Sequence, residues 1–263
     1  MRETVPILMY HSIAEQVRAA LQPFCVTPSE FGRQMEHLRA EGYTTLTVRD
    51  LVARRIDRAT LPERPVVLTF DDGFADFHDE VLPVLQRCGA TATLYVTTGY
   101  VGRSSQWLAG VGEGDRPMLT WAQIRACADA GIEIGAHSVA HAALDRLPTR
   151  AATDEIVRSK LRLEEEIDRT VATFAYPFGY YDARVRDLVM TAGYTAACAV
   201  NYRYSSPDED PFLLSRMIVR RGCPLSSFAR IASGRPPLVV QSYDRARSTV
   251  WRSVRHFVGG PAS

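Results

Sequence analysis

Four side chains stand out because their types and spacing suit hydrolytic chemistry. The segment Thr69-Phe70-Asp71-Asp72-Gly73 sets two carboxylates side by side where an apolar run ends. Adjacent carboxylates repel each other and are costly near a core, so a cation or a shared proton must make them tolerable. For an isolated Asp-Asp-Gly the plainer account is one acid capping a turn and the other facing water. The second constellation is His137-Ser138-Val139-Ala140-His141, again just after an apolar run. On a helical turn, two histidines four apart share one face and both reach one ion. Alone that spacing is a weak signal. With Asp72 it completes an oxygen-plus-two-nitrogen donor set that leaves coordination positions for water and substrate.

These residues are far apart in sequence, so the fold must bring them together. Runs rich in β-branched residues occur at Val5 to Met9, Val66 to Phe70, Ala92 to Val96, Ile132 to Ala136, Thr173 to Tyr176, Thr195 to Val200 and Leu213 to Val219. Each has the length and composition of a buried strand. Between them lie segments of helical period. The clearest starts at Thr27-Pro28-Ser29-Glu30, where Thr27 caps, Pro28 fits the first turn and Glu30 completes a capping box. Further helices are predicted over Asp50 to Arg55, Phe77 to Cys88, Thr120 to Ala130, Thr153 to Arg169, Ala183 to Ala192 and Leu225 to Ser233, several ending at a glycine.

Alternating strands and helices imply a mainly parallel α/β sheet, and about seven such repeats close more naturally into a distorted (β/α) barrel than stay open. The C-terminal ends of the strands are then the active face. His11, the Asp71-Asp72 pair, His137 and Tyr176-Pro177-Phe178-Gly179 all follow strands and converge on that mouth. The loop from Gly99 to Pro117, which carries Trp107, is long enough to cover part of it.

Bulk properties exclude other classes. A 263-residue chain with 46% hydrophobic residues can bury one barrel-sized core, and a net charge of +1 provides no general field for nucleic acid or an anionic membrane. Five cysteines with no CxxC pair argue against a disulfide framework or a thiolate zinc site. The apolar stretch Val5 to Tyr10 is too short for a signal sequence or a membrane span, which gives a cytoplasmic expectation unless a leader has been removed. No GxSxG elbow, GxxxxGK loop or GxGxxG turn is present.

TFDDG, HSVAH and YPFG, in this order, resemble the polysaccharide deacetylase family, also called the NodB-homology domain or carbohydrate esterase family four. The resemblance spans about Val5 to Gly222 and includes flanking features: VPILMYHS, EEEID before FAYPFG, AGY and LLSR. It implies a catalytic domain over residues 1–235 and an extension over 236–263. It further implies Asp71 as general base, Asp72, His137 and His141 as ligands of a divalent metal, and the backbone N–H of Phe178 as oxyanion donor. N/O ligation admits zinc, nickel or cobalt, with zinc favoured by availability and its open tetrahedral preference, and the implied substrate is a glycan containing N-acetylhexosamine. The reaction is hydrolysis of the N-acetyl group to acetate and a free amine.

Two departures matter. Many members carry an arginine two residues before the proline of the third motif, where it orients the base; this chain has Ala175, in the style of the exopolysaccharide-processing branch. Arg216 is a candidate substitute, with a salt-bridge role as its alternative, and it also joins Tyr176, Pro177 and Tyr180 as a candidate substrate contact. The late LxH histidine of the family is absent too, which makes His11 the candidate general acid, since histidine titrates in the required range, with a hydrogen bond to the barrel rim as its alternative role.

His37 and His78 fit no metal set, and Trp121 and Tyr181 are expected to pack. Arginines and apolar residues spaced by three and four over Ser242 to Val258 suggest an amphipathic helix that docks on its own domain, with membrane-surface contact as the alternative. Two other functions stay open: a metal hydrolase of small non-sugar amides or ureides, and a catalytically silent carbohydrate-binding homologue.

Overall fold

Short strands whose residues are buried at every position require cover on both faces, and parallel βα repeats supply it. The structure, a computed structural model, describes residues 4–235. Its elements are β1 (Ile7–Tyr10), β2 (Ser12–Ile13), β3 (Cys25–Val26), α1 (Pro28–Ala40), β4 (Thr44–Leu46), α2 (Val48–Ile56), β5 (Pro65–Phe70), α3 (Leu82–Cys88), β6 (Thr93–Val96), α4 (Trp121–Asp129), β7 (Glu133–Ala136), α5 (Thr149–Ile167), β8 (Thr173–Ala175), α6 (Ala183–Thr191), β9 (Ala196–Cys198), β10 (Met217–Ile218) and α7 (Leu225–Ala232).

Seven strands lie in the order β10-β1-β5-β6-β7-β8-β9, all parallel. A parallel bridge between Cys198 and Leu214, just ahead of β10, links the two ends of this path. The result is the expected distorted (β/α) barrel. The sequence reading missed β4, which pairs with the first half of β5 on the edge where β6 pairs with the second half. Its three residues, grading from exposed to buried, are too few to show a period.

Alternation along the strands builds two apolar clusters. Leu94 and Val96 face the helices, whereas Tyr95 faces inward with Val67, Ala175, Ala196 and Cys198. Val48, Leu51 and Val52 of α2 join the inner cluster and plug one end of the barrel. Glu133 fixes that plug: its carboxylate accepts hydrogen bonds from the Thr93 and Thr173 hydroxyls, both at 2.7 Å, and from the Arg49 N–H at 3.0 Å. Burial raises its pKa, partly offset by these donors.

Side-chain caps set the starts of α1, α2, α4 and α6. Thr27 and Glu30 form the full capping box of α1. The helix expected from Asp50 begins at Val48 instead, because Thr47 accepts the Asp50 N–H and is the cap. The segment expected as one helix over Phe77 to Cys88 opens with a π-helical turn, Phe77–Val81, before α3. The amphipathic segment from Ser242 to Val258, and His256 within it, lies outside the described residues.

Candidate active site

β5 ends in two buried acids, each met by different neighbours. Arg216 is fully enclosed, and its Nη1 and Nη2 donate to Oδ1 and Oδ2 of Asp71 at 2.6 and 2.7 Å. Nη1 also donates to the Thr69 hydroxyl at 3.2 Å, Nε donates to the Ala199 carbonyl at 3.2 Å, and the guanidinium lies 5.6 Å above the Tyr95 ring. This two-pronged pairing fixes the plane of the carboxylate. Burial opposes the Asp71 charge, but Arg216 and then His137 outweigh it and hold its pKa below the ordinary value.

Asp72 points to the other side. The chain turns there at φ +78, and Oδ1 lies 3.4 Å from His137 Nε2 and 3.2 Å from His141 Nε2 without forming a hydrogen bond of good geometry. His137 contributes its Nδ1 to a 2.7 Å contact with the Ala175 carbonyl. A carbonyl only accepts, so Nδ1 carries the hydrogen and a neutral ring presents the Nε2 lone pair to a carboxylate oxygen. Two acceptors facing each other need a cation between them. Without one the conflict is relieved by protonation: burial disfavours the His137 charge, but Asp72 and Asp71 overcome it and raise the pKa. For Asp72, His137 and His141 outweigh the cost of burial and hold its pKa well below the carboxylate range.

One donor atom from each of Asp72, His137 and His141 lies within 4.8 Å of the others. This set, with its orphaned carboxylate oxygen, fits a divalent metal. The HxxxH spacing does not lie on a helical turn as expected. Ser138 and His141 have φ of +63 and +54, and the two rings meet nearly edge to face, 5.0 Å apart.

Around the metal set stands an aromatic wall. Trp107 stacks on His141 at 5.3 Å, Phe178 meets it edge-on at 4.5 Å, and Tyr180 stacks on Phe178 at 6.0 Å. The Gly99 to Pro117 loop therefore does reach the mouth, and Trp107 is a site residue that the sequence reading did not select. Phe178 itself sits at φ +61 and is half exposed. Tyr180 remains a candidate substrate contact. Three others are corrected: Arg216 and Tyr176 are fully buried and Pro177 is buried, so none offers its side chain to a ligand. Tyr176 donates its hydroxyl to the Phe212 carbonyl, and Arg216 serves Asp71.

His11 follows β1 beside both acids, its Nδ1 buried without a partner and its ring edge-on to Phe24 at 5.2 Å. Burial lowers its pKa, while Asp72 and Asp71 work in the opposite direction. The turn that carries it is tied down through Asp76, which accepts the Ser12 hydroxyl at 2.6 Å and Arg116 Nη2 at 2.9 Å. Arg116 in turn lies 5.0 Å over Phe74, whose ring stacks with Trp107. Asp76 thus links the His11 turn to the Trp107 loop. Neither Asp76 nor Arg116 belongs to a short motif, and nothing in the sequence marked them. His78 pairs with Asp79 on the surface, and His37 packs against Phe228 and Tyr43, away from the site.

A family model described as polysaccharide deacetylase matches residues 58–197. The YxkH protein of Bacillus subtilis (strain 168) is 28% identical over 85% of this chain and 74% of its own length. The poly-beta-1,6-N-acetyl-D-glucosamine N-deacetylase of Escherichia coli (strain K12) is 29% identical over 50% of this chain and 20% of that protein. Among solved structures, the Streptococcus pyogenes deacetylase PplD in complex with acetate superposes with a TM-score of 0.77 at 24% identity, covering 90% of this chain and 100% of that one. That likeness shows the shared fold.

Arg216→Met removes one partner of a buried ion pair and leaves Asp71 uncompensated, so it should cost about 3–5 kcal/mol of folding stability by chemical denaturation. A loss under 1 kcal/mol would show that the pair does not hold this end of the barrel. Burial lifts the Asp76 pKa from 3.8 to about 6, against the pull of Ser12 and Arg116. Between these values the folded state holds a proton that the unfolded chain has lost, so stability falls as pH rises through the window. Asp76→Asn should flatten that part of a melting-temperature profile; an unchanged slope would assign it to other groups.

Proposed function

Because the chain belongs to the polysaccharide deacetylase family, we propose that it is a metal-dependent N-deacetylase acting on N-acetylglucosamine units of a glycan. The relative from Escherichia coli, named for poly-beta-1,6-N-acetyl-D-glucosamine, supports a β-1,6-linked exopolysaccharide as the substrate. One observation carries the reading: Asp72, His137 and His141 converge on a single point next to Asp71, a second carboxylate held in place by its own arginine.

Zinc best suits the N/O donor set, with nickel and cobalt as alternatives. When bound, the metal supplies Lewis-acid polarisation of the amide carbonyl and lowers the pKa of a coordinated water. Asp71 takes the proton from the attacking water. Arg216 keeps it ionised and fixes its approach, so this carboxylate is free of the ligand role that falls to Asp72. The Phe178 N–H, on a residue held at φ +61, stabilises the oxyanion of the tetrahedral intermediate. His11 delivers a proton to the leaving amine, which departs as the glucosamine nitrogen while acetate is released. Burial lowers the His11 pKa, and the charges of Asp72 and Asp71 act against that shift.

Trp107, Phe178 and Tyr180 form the rim on which a sugar face would stack. Retention of the base, its arginine and all three candidate ligands in one cluster speaks against a silent homologue.

Acetate release from β-1,6-linked N-acetylglucosamine oligomers tests the reading. Asp71→Asn should lower turnover about 10²–10⁴-fold, and His11→Gln comparably, with metal content unchanged. Undiminished turnover in His11→Gln would remove it as the acid. A wild type inactive on every sugar offered, but active on small amides, would favour the non-sugar hydrolase.

A further inference from the structure

The turn from His137 to His141 holds two of the three candidate metal ligands, yet it has no regular secondary structure. Ser138 and His141 both lie in the left-handed region, at φ +63 and +54. Non-glycine residues persist there only where their surroundings over-determine the backbone. Two groups of hydrogen bonds do so here. From the loop after β6, the N–H groups of Thr98 and Gly99 donate to the carbonyls of Ser138 and Val139 at 3.2 and 2.8 Å. That approach is close enough to require glycine at 99, since a Cβ there would lie 2.6 Å from the Val139 oxygen.

The second group comes from α5. Glu155 Oε2 accepts the N–H groups of Val139 and Ala140, both at 2.8 Å. Successive N–H groups aimed at one anion form a backbone nest, and charge strengthens each bond. Glu155 is well placed to act as the anion because α5 is anchored by buried Ala152 before it and by buried Ile156, Ser159 and Leu163 after it. The carboxylate holds the peptide units that lead directly into His141.

We propose that Glu155 is a positioning residue for the metal centre: by holding the Val139 and Ala140 amides it fixes the turn that aims His141 at Asp72. It acts through the backbone and touches neither ligand ring. The proposal rests on the metal-site reading above. It also explains why a half-buried acid twelve or more residues from either motif histidine is committed to two main-chain donors.

Calorimetric titration of the metal-free protein with Co²⁺ or Zn²⁺, alongside melting curves with and without the metal, tests it. Glu155→Ala should weaken metal binding about 10–100-fold, the range found when outer-shell partners of ligands are removed. Glu155→Gln keeps an acceptor oxygen without the charge and should weaken binding several-fold, which preserves the test if the alanine variant does not fold. The metal-induced rise in Tm should shrink in the same order. A group that merely stabilised the turn would lower the metal-free Tm and leave metal affinity at the wild-type value, and that result overturns the proposal. If the wild type binds neither ion, the metal-site reading fails and this proposal falls with it.

Discussion

Asp71 and Asp72 are consecutive and nearly buried, 4% and 6% exposed, so their charges can share the end of β5 only if each is compensated from a different direction. Arg216 reaches Asp71 from the segment before β10, and the two histidines reach Asp72 from the turn after β7. The φ of +78 at Asp72 is what sends the two side chains apart. From this separation follows the division of labour: a carboxylate already saturated by a guanidinium is available for a proton, and one with an orphaned oxygen is available for a cation.

The same constraint organises the backbone above the barrel. Among the described residues, eight non-glycine positions have positive φ, and four of them, Asp72, Ser138, His141 and Phe178, lie in the candidate site. Strain is thus concentrated where the geometry has a chemical purpose, and it is sustained by contacts from loops and from α5 rather than by regular structure. The rigid part is the barrel, with its Glu133 plug and inward Tyr95. Gly135 makes room for that ring, since a Cβ there would lie 2.5 Å from it. Arg216 lies over the same tyrosine, 5.6 Å from its ring centroid, which couples the packing of the barrel interior to the orientation of Asp71.

The strand-helix alternation was legible because fully buried parallel strands read as short apolar runs, and the capping box at Thr27 announced the start of α1. The metal donor set was legible for another reason: its members fall immediately after strands, where a barrel gathers them. What could not be read was pairing over long separations. Arg216 does fill the place of the arginine missing at position 175, but it is enclosed, a depth that sequence does not give, and makes no substrate contact. Tyr176 and Pro177 failed for the same reason. Glu155, Asp76 and Arg116 act through main-chain groups or through one another, and such contacts leave no motif. The HSVAH spacing suits a helical turn, and spacing alone cannot reveal the left-handed residues Ser138 and His141 that break it.

The central claim is that one divalent metal sits between Asp72, His137 and His141. Anomalous diffraction at the cobalt edge, from crystals of the wild-type protein grown with Co²⁺, tests it most directly. The account predicts a single strong peak within bonding distance of a carboxylate oxygen of Asp72 and of the Nε2 atoms of both histidines, with Asp71 still held by Arg216. No peak there at saturating metal, or a peak that takes Asp71 as a ligand, would contradict it.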